Sequence, residues 1–129
     1  MRKPTVLLVE DDPQVRGLLT TLLGSDGLGV EPEETGEAAL ARLEREPPVD
    51  LVLLDVGLPG IGGFEVCRRI KARSATRLIP VILVTGYGGV QDRVVGIEAG
   101  ADDFLSKPVE RKELLGRVRS VLRLKGLHR

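Results

Sequence analysis

Unbroken aliphatic runs in this chain are short, falling at residues 6–9 (VLLV), 51–54 (LVLL) and 81–84 (VILV), each bounded by polar or turn-forming residues. Four such residues are too few for a helix and suit a strand buried on both faces. The stretches between them carry apolar residues at helical spacing. This alternation is the pattern of βαβα units and predicts an α/β fold, a parallel sheet with helices on both sides.

The intervening helices can be read one by one. Val15, Leu18, Leu19, Leu22 and Leu23 fall at i, i+3, i+4, i+7 and i+8, with Asp12 as cap and Pro13 in the first turn. Gly24-Ser25-Asp26-Gly27 closes that helix. A weak strand is expected at 28–31, and Gly29 and Pro32 place it at an edge. Residues 37–45 form a short helix on Ala38, Ala39, Leu40 and Leu43, stopped by Pro47-Pro48 before the buried run 49–55. Phe64, Cys67 and Ile70 mark a third helix, and Pro80 opens the strand 81–85. Val90, Val94 and Ile97 trace a fourth helix, 103–106 is a short last strand, and Leu114, Leu115, Val118, Val121 and Leu122 form the stripe of a closing helix. The expectation is five strands and five helices.

A length of 129 residues suits one domain with its own core. Nineteen basic residues balance nineteen acidic ones, so no net field recruits nucleic acid or an anionic membrane. The lone Cys67 cannot form an internal disulfide, and its place on an apolar face suits a small buried hydrophobe. No segment approaches the roughly eighteen apolar residues of a membrane helix, and the first residues do not read as a signal peptide. The chain is therefore expected to be cytoplasmic. Residues 1–129 read as a single domain, core about 5–124, with no repeats, no linker, no effector domain and a frayed basic end that includes His128.

In a parallel α/β sheet, function collects at the carboxyl ends of the strands. Here those ends are polar: Glu10-Asp11-Asp12 after the first run, Asp55 after the third, Thr85 after the fourth, and Lys107-Pro108 beyond the fifth. Two carboxylates about 4 Å apart repel by roughly 4 kcal/mol at an effective dielectric near 20, so a cleft holding three calls for a cation. An all-oxygen site suits Mg²⁺. A carboxylate nucleophile beside Mg²⁺, a hydroxyl and an ammonium is the equipment for phosphoryl transfer to aspartate.

Taken singly, each of these features has an ordinary structural explanation. Glu10-Asp11-Asp12 alone is a solvated turn with a helix cap, Asp55 before Gly57 and Pro59-Gly60 a turn, Thr85 a polar strand end and Lys107 a surface charge. Together, Val9-Glu10-Asp11-Asp12, Leu54-Asp55-Val56-Gly57-Leu58-Pro59-Gly60, Val84-Thr85-Gly86 and Gly100-Ala101-Asp102-Asp103-Phe104-Leu105-Ser106-Lys107-Pro108 resemble the receiver domains of bacterial two-component response regulators in order and spacing. The resemblance covers about residues 5–124.

It implies a flavodoxin-like, doubly wound fold with strand order 2-1-3-4-5. It implies Asp55 as phosphoacceptor, and as Mg²⁺ ligands Asp11 directly, Glu10 mainly through water, Asp55, and the Gly57 carbonyl. Thr85 and Lys107 would hold the phosphoryl oxygens, the Lys107–Pro108 peptide would be cis, and Thr85 would couple to Phe104 as a switch. The implied phosphodonor is a phosphohistidine on a sensor histidine kinase or phosphotransfer protein. Similarity to the transcription-factor branch further implies a homodimer through the fourth helix, fifth strand and fifth helix, pairing Arg93 with Glu113, Asp103 with Arg117 and Glu98 with Arg119 across the two copies. The domain itself would not bind nucleic acid.

Two positions depart from the family pattern: Gly62-Gly63, where Asp-Gly is frequent, and Glu110, where a Ser, Thr or Asp frequently caps the last helix. Gly57 and Tyr87 stand two residues beyond Asp55 and Thr85, so Tyr87→Ala is expected to alter phosphate lifetime. The glycines of 86–89 mark the fourth helix and the loop before it as a mobile element. Two other classes fit less well. A haloacid-dehalogenase-type phosphatase needs a second Asp where Gly57 stands, and a flavodoxin-like electron carrier needs a phosphate-cradling loop and ring-stacking aromatics, whereas this chain has no Trp and one Tyr. A degenerate receiver would lack part of the acidic, Thr and Lys set, all of which is present.

Overall fold

A computed structural model of the chain describes residues 3–86 and 89–126. Its elements alternate as β1 (Thr5–Val9), α1 (Pro13–Ser25), β2 (Gly29–Glu33), α2 (Gly36–Leu43), β3 (Leu51–Asp55), α3 (Gly63–Ala72), β4 (Val81–Thr85), α4 (Gly89–Glu98), β5 (Asp103–Ser106) and α5 (Arg111–Leu124). The strands pair in the order β2-β1-β3-β4-β5, all parallel, which is the expected topology. Strand order reverses between β1 and β3, so their carboxyl ends flank the crevice where α/β folds place their sites.

Alternation along each strand builds two cores, one per face of the sheet. Leu8, Leu53 and Ile82 join Leu19 and Leu23 of α1 and Leu114 and Val118 of α5 on one side. Leu7, Val52, Leu54 and Leu83 join Val66, Cys67 and Ile70 of α3 on the other. Burying each such side chain is worth about 1.5–3 kcal/mol, so β1, β3 and β4 form a stiff floor whose ends are fixed in place. Cys67 is fully buried, its thiol donates to the Ala99 carbonyl at 3.5 Å, and burial pushes its pKa up to about 11. It is an inert core residue. Among the described residues no helix is long and apolar enough to cross a membrane.

Helix α1 starts as the sequence suggests: the Asp12 carboxylate accepts from the Gln14 and Val15 amides at 2.9 and 3.3 Å, with Pro13 in the first turn. It closes with the Gly27 amide on the Gly24 carbonyl and the Leu28 amide on the Leu23 carbonyl, a paired C-terminal motif. Other boundaries move. The edge strand runs Gly29–Glu33 rather than 28–31, passing through Pro32, because an edge strand has an unpaired side on which a missing amide is tolerated. The Glu10 amide extends this pairing to the Glu33 carbonyl at 3.0 Å. Helix α2 starts at Gly36, where the Thr35 hydroxyl caps the Ala38 amide at 3.0 Å, and ends at Leu43 rather than 45. The third strand starts at Leu51 rather than 49.

Two findings were not expected. Arg42 is buried on α2, where it pairs with Glu31 of β2 and donates to the Pro47 carbonyl at 2.8 Å and the Arg45 carbonyl at 3.1 Å. Helix α4 exists, but its apolar stripe faces outward: Val90, Val94 and Ile97 are 79, 47 and 64% exposed, and Gly96 is its buried residue. The periodicity identified the helix, and the structure shows which way its apolar stripe turns. Helix α5 buries Leu114, Leu115, Val118, Val121 and Leu122 as expected, while Glu110 at its N-cap makes no side-chain capping bond.

Candidate functional site

The acids converge because β1 and β3 end side by side. Asp55 is the last residue of β3 and 5% exposed, Glu10 follows β1 at 2%, and Asp11 beside it is exposed. One carboxylate oxygen from each of Glu10, Asp11 and Asp55 lies within 4.8 Å of the others. Helix α3 begins directly against this strand end. A Cβ at Gly63 would stand 2.3 Å from the Asp55 carbonyl oxygen and 2.7 Å from the Val56 Cα, so glycine is required there. The Gly62-Gly63 pair, noted from sequence only as a departure, contains a residue that builds the site.

Lys107 enters from beyond β5. Its amide donates to the Thr85 carbonyl at 2.8 Å, and the Lys107–Pro108 peptide is cis. Its Nζ lies 3.2 Å from Asp55 Oδ1 and 3.3 Å from Glu10 Oε1. Burial alone would lower the Lys107 pKa, but the charges of Asp55 and Glu10 and its bonds to them outweigh this and raise it. Burial, with Asp55's charge added, raises the Glu10 pKa against the Asp12 amide, which donates to Glu10 Oε2 at 3.0 Å, and against Lys107. One ammonium thus faces three carboxylates, which leaves the cleft short of positive charge and suited to a hard, oxygen-seeking cation.

Thr85 ends β4, 3% exposed, and its hydroxyl donates to the Leu105 carbonyl over a long 3.4 Å. Gly57 is exposed at the mouth of the cleft, and Phe104, in register with Leu83, is half-buried. The cleft, about 430 Å³, is lined by Asp11, Asp55, Gly57 and Lys107 and also by Asp92, from the first turn of α4. Asp92 and Arg16 were not singled out from sequence. Arg16 donates to the Glu10 carbonyl at 2.9 Å and the Asp11 carbonyl at 3.2 Å, fixing the acidic loop from α1. An acid at the start of a helix and an arginine on an amphipathic helix are too common to signal such roles. Tyr87 lies outside the described residues.

The charged set on α4, β5 and α5 divides. Arg93 and Glu98 are exposed. Arg117 pairs within the chain, at 2.9 Å from Asp103 and 3.4 Å from Glu113. Arg119 lies about 200° round the helix from Arg117 and pairs instead with Asp26 at the end of α1, its Nε donating to Asp26 Oδ2 at 2.9 Å. Asp103 and Arg117, which the resemblance pairs across two copies, also meet within one chain, and Arg119 bonds to Asp26 on the opposite flank.

The family model described as the response regulator receiver domain matches residues 6–119. The sensory transduction protein RegX3 of Mycobacterium tuberculosis is 43% identical over 122 residues, which is 95% of this chain and 52% of that protein. The chain spans about half the length of the first curated relatives it matches. A response-regulator crystal structure from Chloroflexus aurantiacus superposes with a TM-score of 0.90 at 36% identity, covering 95% of this chain and 99% of that one. The receiver domain of the sensor histidine kinase PA1611 from Pseudomonas aeruginosa, with a magnesium ion coordinated in its active-site cleft, gives 0.84 at 33% identity, covering 97% and 99%. The match over most of the chain, the strand order and the acidic cleft at the strand ends agree: this chain belongs to the response regulator receiver domain family of two-component signalling.

Proposed function

We propose that Asp55 is the phosphoacceptor of this receiver, taking a phosphoryl group from a phosphohistidine on a sensor histidine kinase or phosphotransfer protein. The observation that carries the reading is the position of Asp55: a strand-end carboxylate 5% exposed, with a lysine ammonium 3.2 Å away and two further acids sharing its cleft. An Asp55 oxygen attacks phosphorus as the phosphorus–nitrogen bond breaks and the imidazole leaves with that electron pair. Lys107, poised between Asp55 and Glu10, pairs with the transferred oxygens. Thr85 exchanges its long bond to Leu105 for a phosphoryl oxygen, and Phe104 follows.

Glu10, Asp11, Asp55 and the Gly57 carbonyl would hold Mg²⁺, which supplies charge neutralisation at the phosphoryl oxygens and at the acids themselves. The donor set fits: three carboxylates with oxygens within 4.8 Å, and one raised in pKa by burial and its neighbour's charge. The magnesium-loaded PA1611 receiver supports the same assignment by likeness. The output is a shift in conformational population, with α4, β5 and α5 as the face that meets a second copy, in the cytoplasm and without direct contact to nucleic acid. Residues 5–124 act as one unit.

Mass spectrometry after incubation with acetyl phosphate and Mg²⁺ tests the acceptor. A single phosphoryl adduct is expected on the parent and none on Asp55→Asn. A folded parent that takes up no phosphoryl group would overturn the reading.

A further inference from the structure

We propose that Gly96 is the seat of the Phe104 ring, so that the missing side chain at position 96 sets where this aromatic lies beneath α4. Gly96 is the buried residue of α4, and the ring occupies the space its side chain would fill. A Cβ there would stand 2.4 Å from Phe104 Cε1, 3.0 Å from Cζ and 2.9 Å from Leu83 Cδ1. Carbon atoms in contact sit about 3.5–4.0 Å apart, so even one methyl group cannot coexist with the ring where it is.

What gives way can be read from the surroundings. Leu83 is fully buried in the interior strand β4, whereas Phe104 is half-buried on the edge strand β5. A methyl at 96 therefore evicts the ring or lifts α4 from the sheet. Thr85 lies two residues beyond Leu83 on the same face of β4, and its hydroxyl rests on the backbone of Leu105, next to Phe104. Gly96 thus meets the Phe104 ring, and the residue after Phe104 accepts the Thr85 hydroxyl, which links the end of β4 to α4 through β5. Gly96 is a positioning residue, acting through Phe104. The assignment deepens the phosphoacceptor reading and rests on it for its signalling consequence.

The chain has two phenylalanines, so fluorophenylalanine labelling gives two ¹⁹F resonances, with Phe104→Leu identifying that of residue 104. In the parent, Mg²⁺ with beryllium fluoride is expected to move the Phe104 resonance and leave that of Phe64 in place. In Gly96→Ala the Phe104 resonance should start displaced and lose most of its response, while Asp55 still accepts a phosphoryl group from acetyl phosphate. An unchanged resonance and response in Gly96→Ala would overturn the proposal.

Thermal unfolding gives a second measurement. Gly→Ala inside a helix ordinarily stabilises, so a lower Tm for Gly96→Ala reports the collision. Shortening the ring with Phe104→Leu should remove most of that loss, and an equal loss in both backgrounds would also overturn the proposal. Failure of the parent to be phosphorylated would instead sink the acceptor reading and leave the Gly96–Phe104 coupling measurable by Tm alone.

Discussion

The two helices beside β5 are held to the molecule in different ways. Helix α5 buries Leu114, Leu115, Val118, Val121 and Leu122 in the core it shares with α1 and the sheet, and Arg119 and Asp26 tie it to α1. Helix α4 buries a glycine and turns Val90, Val94 and Ile97 outward. One is part of the core; the other rests on the sheet through backbone and a borrowed aromatic ring. A receiver needs both: a stable frame that keeps acids and lysine in register, and an element that a change at the strand ends can move at small cost. In this molecule the difference lies in which face of each amphipathic helix meets the sheet.

The largest test of that contrast is truncation in each helix. Leu114→Ala empties a fully buried site and is expected to cost about 2–5 kcal/mol in urea unfolding, whereas Val94→Ala should stay within about 0.5 kcal/mol. Equal losses would mean that α4 contributes to the core as α5 does.

Magnesium should sharpen the same comparison with a smaller effect. At ten times its dissociation constant, a cation bound only by the folded state adds about 1.4 kcal/mol, roughly tenfold in the folding equilibrium. Amide exchange in α5, which requires global opening, should slow by that factor, while α4, opening locally, should change far less. Asp11→Asn should abolish the slowing. Uniform slowing of both helices would erase the distinction.

Glu10 gives a further effect, with the sign set by its raised pKa. Its contribution to stability is fully present below the ordinary 4.5 and is lost as pH rises through the elevated folded value. Above that point the ionised, buried carboxylate weighs on the fold. Without magnesium, Glu10→Gln should therefore be more stable than the parent at neutral pH, and the advantage should shrink as pH falls toward 4.5. Adding Mg²⁺ should reverse the order. A variant less stable than the parent at neutral pH would show that the bond to Lys107 outweighs burial.

How much of this was legible in the sequence depends on how local each signal is. The Asp12 cap, the close of α1 at Gly27 and the buried runs of β1, β3 and β4 depend on neighbours in sequence, and they stand where the residues indicated. The strand-end acids and Lys107 were visible because parallel topology brings such ends together. Arg42 was not: it is buried because Glu31, eleven residues away, and the Pro47 carbonyl complete its bonds, and neither can be seen from α2 alone. The orientation of α4 was not legible for a related reason. A period of 3.6 shows which residues share a face, not which way that face turns, and a buried glycine adds nothing to an apolar stripe. Gly63 and Gly96 declare themselves only through what a Cβ would strike.

The smallest expected effect on stability asks what the outward stripe of α4 is for. Ile97 is 64% exposed, so Ile97→Ser should change unfolding free energy by no more than about 0.5 kcal/mol. Three aliphatic side chains left in water on the helix least fixed to the sheet are costly to leave exposed unless another surface covers them. If that surface is a second copy meeting α4, β5 and α5, sedimentation of the parent with Mg²⁺ and beryllium fluoride should show a dimer, and Ile97→Ser should restore the monomer while Asp55 still takes up phosphate. Arg117→Ala would then weaken the dimer less, because its bond to Asp103 is already satisfied within one chain at 2.9 Å. A parent that stays monomeric with the phosphoryl mimic bound, or an Ile97→Ser variant that dimerises as the parent does, would remove the stripe from the signalling face and leave its exposure without a purpose in self-association.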